Sequence, residues 1–188
     1  MTHYLSDNGE CGLSLIELVI VVTIGILITA MAVPTLITAV NNYRLRSSVV
    51  DLNTLLQQVR IQAIRDNKSY NIASDLSGTR IFAETVNVNG SWDSGEPLVM
   101  LQRNVLLDMG NSSPAISNLG FTPSSTNLGF TSRGVPCSGV VPACNTWSGN
   151  QQVGFVFYLS SNGSWGAISV SPSGRFRSWS YSGGVWSY

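Results

Sequence analysis

The chain has 188 residues, in which 10 Lys and Arg balance 10 Asp and Glu, so net charge points to no particular partner. Only 11% of residues are charged, and Gly, Ser, Thr and Asn crowd the part after residue 70, which fits a loop-rich β domain outside the cytoplasm better than a cytosolic enzyme. The length suits one membrane segment followed by one small domain.

Residues 18–40 form a run of 23 residues without a charge, LVIVVTIGILITAMAVPTLITAV. A bilayer core needs about 20 such residues as a helix. The run differs from a cleavable secretory signal: it is longer, no small-x-small site closes it, and the helical pattern continues beyond it. One ionisable residue, Glu17, sits at its start. A carboxylate there is costly and usually has a partner, the plain alternative being a side chain that reaches the interface.

Gly12 precedes Leu13-Ser14-Leu15-Ile16-Glu17, and GLSLIELVIVV then enters the apolar run. This string resembles the processing site of type IV prepilins and type II secretion pseudopilins. The resemblance implies that a prepilin peptidase cuts between Gly12 and Leu13 and methylates the new N-terminus at Leu13. Glu17 becomes the fifth mature residue, and Pro34 falls where the family commonly carries a helix-kinking proline. The leader MTHYLSDNGECG departs from the usual pattern in having no Lys or Arg, and Leu13 replaces the usual Phe or Met. Cleavage creates a positive amine at Leu13. In a filament, Glu17 of one subunit can pair with the amine of its neighbour, offsetting the cost of placing either charge in the membrane. Cys11 leaves with the leader, so Cys137 and Cys144 remain as a pair across a short loop holding Gly139 and Pro142. In an oxidising periplasm the pair reads as a disulfide, the alternative being two free buried thiols.

Beyond residue 40, Leu45, Val49, Leu52, Leu56, Val59 and Ala63 follow 4-3-4-3-4 spacing, one apolar stripe along a helix. The stripe is expected to pack on the chain's own sheet; a dimeric coiled coil is the alternative. Asp66-Asn67-Lys68-Ser69 ends the helix. The remainder reads as strands at Tyr70–Ala73, Thr79–Glu84, Leu98–Leu106, Leu128–Thr131, Val153–Leu159, Trp165–Val170 and Arg175–Trp179, with turns at 161–164 and 172–174. Asn118-Leu119-Gly120-Phe121-Thr122 recurs as Asn127-Leu128-Gly129-Phe130-Thr131, but two copies make no repeat architecture.

Catalytic chemistry finds little support. His3, the only histidine, lies in the expected leader, which leaves the mature chain without a Ser-His-Asp or Cys-His arrangement. Two cysteines seven positions apart do not complete a zinc site. Asp75, Glu84, Asp93, Glu96 and Asp108 are scattered, and the Asp93/Glu96 spacing lacks the full calcium-loop pattern. A non-enzyme without cofactor or metal is expected.

Near the C-terminus, Gly174-Arg175-Phe176-Arg177 places two arginines at alternate positions of an expected strand, so both would project from one face with Phe176 pointing into the core. Such a pair can engage phosphates of DNA, with Trp165 and Trp179 as stacking surfaces; the bland alternative is a solubilising hairpin or a subunit contact. VSPSGRFRSW, FTSRG at 130–134 and LLQQVRIQAIRDN resemble the GspH/FimT group of minor pilins, which pack an N-terminal helix against two β-sheets. In the FimT branch a Gly-Arg-x-Arg motif is associated with DNA capture during natural transformation, and it maps here onto Gly174, Arg175 and Arg177.

The resemblance implies an α+β fold: a long N-terminal helix, half membrane-spanning and half amphipathic, packed on a small β-rich periplasmic head. The expected divisions are a leader at 1–12, a transmembrane and filament-core helix at 13–40, an amphipathic helix at 41–68 and the head at 69–188. The expected role is a minor pilin or pseudopilin that helps initiate or cap a filament of a type II secretion or type IV pilus system. Its partners would be the prepilin peptidase, other pilins or pseudopilins and the inner membrane. The alternatives are a DNA-binding minor pilin for DNA uptake and a plain membrane-anchored periplasmic protein.

Overall fold

The computed structural model describes residues 14–85, 89–108, 113–124, 127–139, 144–148 and 151–188. The leader with Gly12, and Leu13 after it, lie outside the described residues. The chain forms two compact units, one up to Ala39 and one from Val40 to Tyr188.

Helix α1 runs Leu15–Arg65 and continues across Pro34 without a break in its helical residues. Glu17 lies in its first turn and Arg65 in its last, both complementary to the helix dipole. The C-terminus is closed by Asn67 at φ 49°. Asn67 N–H donates to Ile64 O at 3.3 Å and Lys68 N–H to Ala63 O at 3.1 Å, a Schellman arrangement that satisfies two terminal carbonyls. Just beyond, Tyr70 Oη donates to Asp66 Oδ2 at 2.8 Å. Burial, and then this bond to a carboxylate, push the Tyr70 phenol up to about 12.

In the Val40–Tyr188 unit, α1 lies on two five-stranded antiparallel sheets, as the resemblance implied. Strands β1 (Tyr70–Ser74), β2 (Arg80–Glu84) and β3 (Leu98–Met100) join β5 (Leu128–Phe130) and β6 (Pro136–Ser138) in the order β3-β2-β1-β5-β6. The second sheet has the order β12-β11-β10-β9-β4, built from β4 (Leu106–Leu107), β9 (Phe155–Ser161), β10 (Ser164–Val170), β11 (Phe176–Ser182) and β12 (Val185–Ser187). Strands β7 (Trp147–Ser148) and β8 (Gln151–Gln152) make a small separate hairpin. The predicted stripe of α1 is buried at every position, from Leu45 to Ala63, and shares one core with Ile72, Ile81, Leu128, Phe130, Phe155 and Ile168 from both sheets. Each such Leu, Ile or Phe contributes about 1.5–3 kcal/mol through the apolar area it removes from water. The stripe therefore serves the chain's own head, and the coiled-coil alternative falls away.

One sequence expectation changes. The single strand at 98–106 is in fact β3 and β4, which belong to different sheets. Asn104 at φ 66° and a bond from Val105 N–H to Gln102 O at 2.9 Å turn the chain between them. The turn is anchored by Gln102 N–H donating to Ser48 Oγ of α1 at 3.0 Å. Leu101 and Val105 are both buried on either side of it, so the apolar run conceals the break. The five-residue sequence repeat has no structural counterpart: its second copy contains β5, while Asn118–Thr122 is irregular chain.

Candidate functional site

The first functional element is the N-terminal part of α1. One helix of the described residues is long and apolar enough to cross a membrane, and its most apolar window has none of its residues buried. Leu15, Ile16, Met31 and Leu36 are 65–81% exposed. The threonine side chains within this stretch are satisfied inside the helix. Thr23, Thr29 and Thr38 donate to the carbonyls of Val19, Gly25 and Pro34 four residues back, and Thr35 to Ala32. In hydrocarbon an unpaired hydroxyl is costly, so this local pairing suits a lipid or helix-packed setting. Glu17 is exposed, and neither ion pair found among the described residues involves it.

The second element is the β10–β11 hairpin. Ser171, Pro172, Ser173 and Gly174 form its loop: Gly174 N–H donates to Ser171 O at 2.8 Å and Ser171 N–H to Arg175 O at 2.9 Å. Ser171 Oγ accepts from Arg175 N–H at 3.0 Å and contacts Ser173 Oγ at 2.9 Å. Pro172 presets the turn, and Gly174 at φ 80° occupies the left-handed bulge position that closes it. Arg175 therefore precedes the strand, which starts at Phe176, and its placement comes from the bulge rather than from strand alternation. Both guanidinium-bearing residues are exposed and line one groove of about 160 Å³ with Ser169, Ser171, Ser173 and Phe121. Phe176 is half-buried against the core, its ring 6.2 Å from Phe130. The guanidinium carbon of Arg177 stands 4.9 Å from the Tyr188 ring centroid.

The expected stacking tryptophans are not available beside these arginines. Trp179 is 4% exposed and its indole N–H donates to Ser169 Oγ at 2.9 Å. Trp165 lines a different groove, with Leu45 and Val49 of α1. Sequence reasoning also missed Arg60. From the last two turns of α1, its Nη1 donates to Gly174 O at 2.8 Å.

Cys137 and Cys144 are joined as a disulfide with Cα atoms 5.3 Å apart. The bridge lies against Gly129 of β5: a Cβ there would stand 2.9 Å from Cys144 Sγ and 3.3 Å from Cys137 Sγ. Asp93 and Glu96 are engaged in their own loop, where Glu96 Oε2 accepts from Asp93 N–H at 3.0 Å and Asp93 Oδ2 from Asn89 Nδ2 at 3.3 Å. Among the described residues no three His, Cys, Asp or Glu side chains cluster to hold a metal.

A family model described as type II transport protein GspH matches residues 48–174. No curated protein matches the chain. Solved structures with a similar fold include the minor pseudopilin EpsH from the type 2 secretion system of Vibrio cholerae. It is 14% identical, with 73% of this chain and 97% of that chain covered and a TM-score of 0.45. The type IV minor pilin FimU of Pseudomonas aeruginosa is 19% identical, with 72% of this chain and 88% of that chain covered and a TM-score of 0.47.

Proposed function

The chain belongs to the GspH family of type II transport proteins, and from that premise we propose that it is a minor pilin or pseudopilin which helps initiate or cap a filament of a type II secretion or type IV pilus system. The observation that carries this reading is the apolar part of α1, exposed along its length and headed by Glu17. Surface of this kind must be covered by lipid before assembly and by neighbouring helices after it. Prepilin peptidase cuts between Gly12 and Leu13 and methylates Leu13. Glu17 then pairs with the N-terminal amine of an adjacent subunit, and the head remains on the periplasmic side of the inner membrane. The role is structural rather than enzymatic.

Mass spectrometry of the N-terminus of membrane-extracted protein, with and without prepilin peptidase, tests this. The expected product begins at N-methylated Leu13 only when the peptidase is present. An uncut chain, or one cut beyond the apolar run, refutes the reading and leaves a plain membrane-anchored or secreted β domain.

The shared groove of Arg175 and Arg177 favours DNA binding as a second reading. With two phosphate contacts, affinity for single-stranded DNA should fall with a log–log salt slope of about −1.4. Replacing both arginines by alanine should abolish that slope, and unchanged binding in the double variant rejects the reading.

A further inference from the structure

Residues of both sheets, with Gly90, Ser124 and Asn127 from loops, line an open cavity of about 390 Å³, distinct from the groove lined by Arg175 and Arg177. At one side of it stand Asn71 of β1 and Glu84 of β2. They are Cα partners across the ladder, so their side chains leave the sheet on the same face. Both are 0% exposed. Glu84 Oε1 accepts from Gly90 N–H at 2.8 Å, but Oε2 meets Asn71 Nδ2 only at 3.5 Å, the outer limit of a hydrogen bond. Asn71 Oδ1 is buried with no hydrogen-bond partner. Neither ion pair found among the described residues involves Glu84. A buried carboxylate without a counter-charge, beside a buried amide oxygen without a donor, is unfavourable unless something supplies both. The rest of the lining is mixed: apolar Leu107, Leu128, Phe155 and Phe157 beside polar Ser74, Ser124 and Asn127.

We propose that this cavity binds a primary alkylammonium group, a lysine side chain presented by another protein. The inference is independent of the filament reading above. An ammonium donates in three directions and accepts nothing, so it satisfies Glu84 Oε2 and Asn71 Oδ1 together. A guanidinium fits less well, because its planar fork calls for two carboxylate oxygens and Oε1 is already engaged by Gly90. Calcium takes six to eight oxygens, and this cavity supplies one carboxylate. The chain's single lysine, Lys68, is exposed at the end of α1, so the amine comes from a second chain.

The test uses the full chain in detergent micelles, titrated with Nα-acetyl-lysine methylamide. The readout is the side-chain amide resonances of Asn71. Saturable shifts are expected, and the norleucine analogue, which lacks only the amine, should bind at least about tenfold more weakly, as loss of one charged hydrogen bond requires. Glu84→Gln should weaken lysine binding by about the same factor. If that variant fails to fold, the lysine-against-norleucine comparison on the unaltered chain decides alone. No saturable shift, an equal response to norleucine, or a folded Glu84→Gln variant that binds unchanged overturns the proposal. Shifts produced by calcium chloride but not by the lysine compound overturn it in favour of a metal.

Discussion

Arg60 of α1 and Gly174 of the β10–β11 hairpin are joined by a 2.8 Å hydrogen bond from Nη1 to the glycine carbonyl, and a Cβ at residue 174 would stand 3.0 Å from the same guanidinium. Glycine is thus favoured there twice, by its φ of 80° and by the arginine lying over it, which a Cβ would crowd. Gly163, at φ 82° in the β9–β10 turn, has open space where its Cβ would be. Gly163→Ala should cost the conformational penalty alone, about 1 kcal/mol, and Gly174→Ala measurably more. In an Arg60→Met background the excess should vanish. Equal losses for the two alanines in urea unfolding would reject the coupling.

Reduction of the Cys137–Cys144 bridge opens a loop with a sequence separation of 7. Chain entropy for so short a loop predicts a loss of about 2 kcal/mol in the Cys137→Ser/Cys144→Ser protein. The urea midpoint of the unaltered chain should fall similarly on adding a reductant, and an unmoved midpoint would show that the bridge bears no stability.

Leu56 is 0% exposed at the centre of the helix stripe. Leu56→Ala should destabilise the head by about 2–5 kcal/mol through lost burial and the cavity left behind. Exposed Val50 on the neighbouring face, 60% accessible, should tolerate alanine with little change. Similar thermal midpoints for both variants would contradict the packing of α1 on the sheets.

Tyr70 supplies a pH dependence. Its folded pKa, raised to about 12 from the ordinary 10.0, lies above that of the unfolded chain. The folded state therefore holds the phenolic proton more tightly. The associated stability is complete below pH 10.0 and is lost as pH rises toward about 12. Thermal midpoints should decline over that window and the decline should lessen in Tyr70→Phe. An identical alkaline decline in the variant would assign it to other groups.

Glu17 tests assembly separately from folding. Glu17→Ala should leave the head's thermal midpoint unchanged, since Glu17 lies in the unit up to Ala39. Incorporation into sheared filaments should drop at least tenfold, on the order of the loss of one buried ionic partner. Normal incorporation would remove the amine–carboxylate pairing.

Local and periodic features are legible in the chain itself. The uncharged run at 18–40, the 4-3-4-3-4 stripe, the helix end at Asp66-Asn67 and the Asn162-Gly163 turn each depend on residues near one another in sequence. Apolar length, helical period and tolerance of positive φ are properties a sequence displays directly. Strands β6, β7, β8 and β12 leave no such signal, because they are two or three residues long and carry no alternation.

By itself, then, the sequence determined that this chain has an apolar helix headed by a carboxylate, an amphipathic continuation and a β-rich head. The hydrophobic effect acts on patterns, and the patterns are written in order along the chain. Only the tertiary structure decided that 98–106 divides between two sheets, that Arg60 seats Gly174, that Trp179 is buried and that Asn71 and Glu84 meet across a ladder. Residues 60 and 174, or 71 and 84, become neighbours only after strands pair and the helix docks, and their hydrogen bonds depend on positions that no local period encodes.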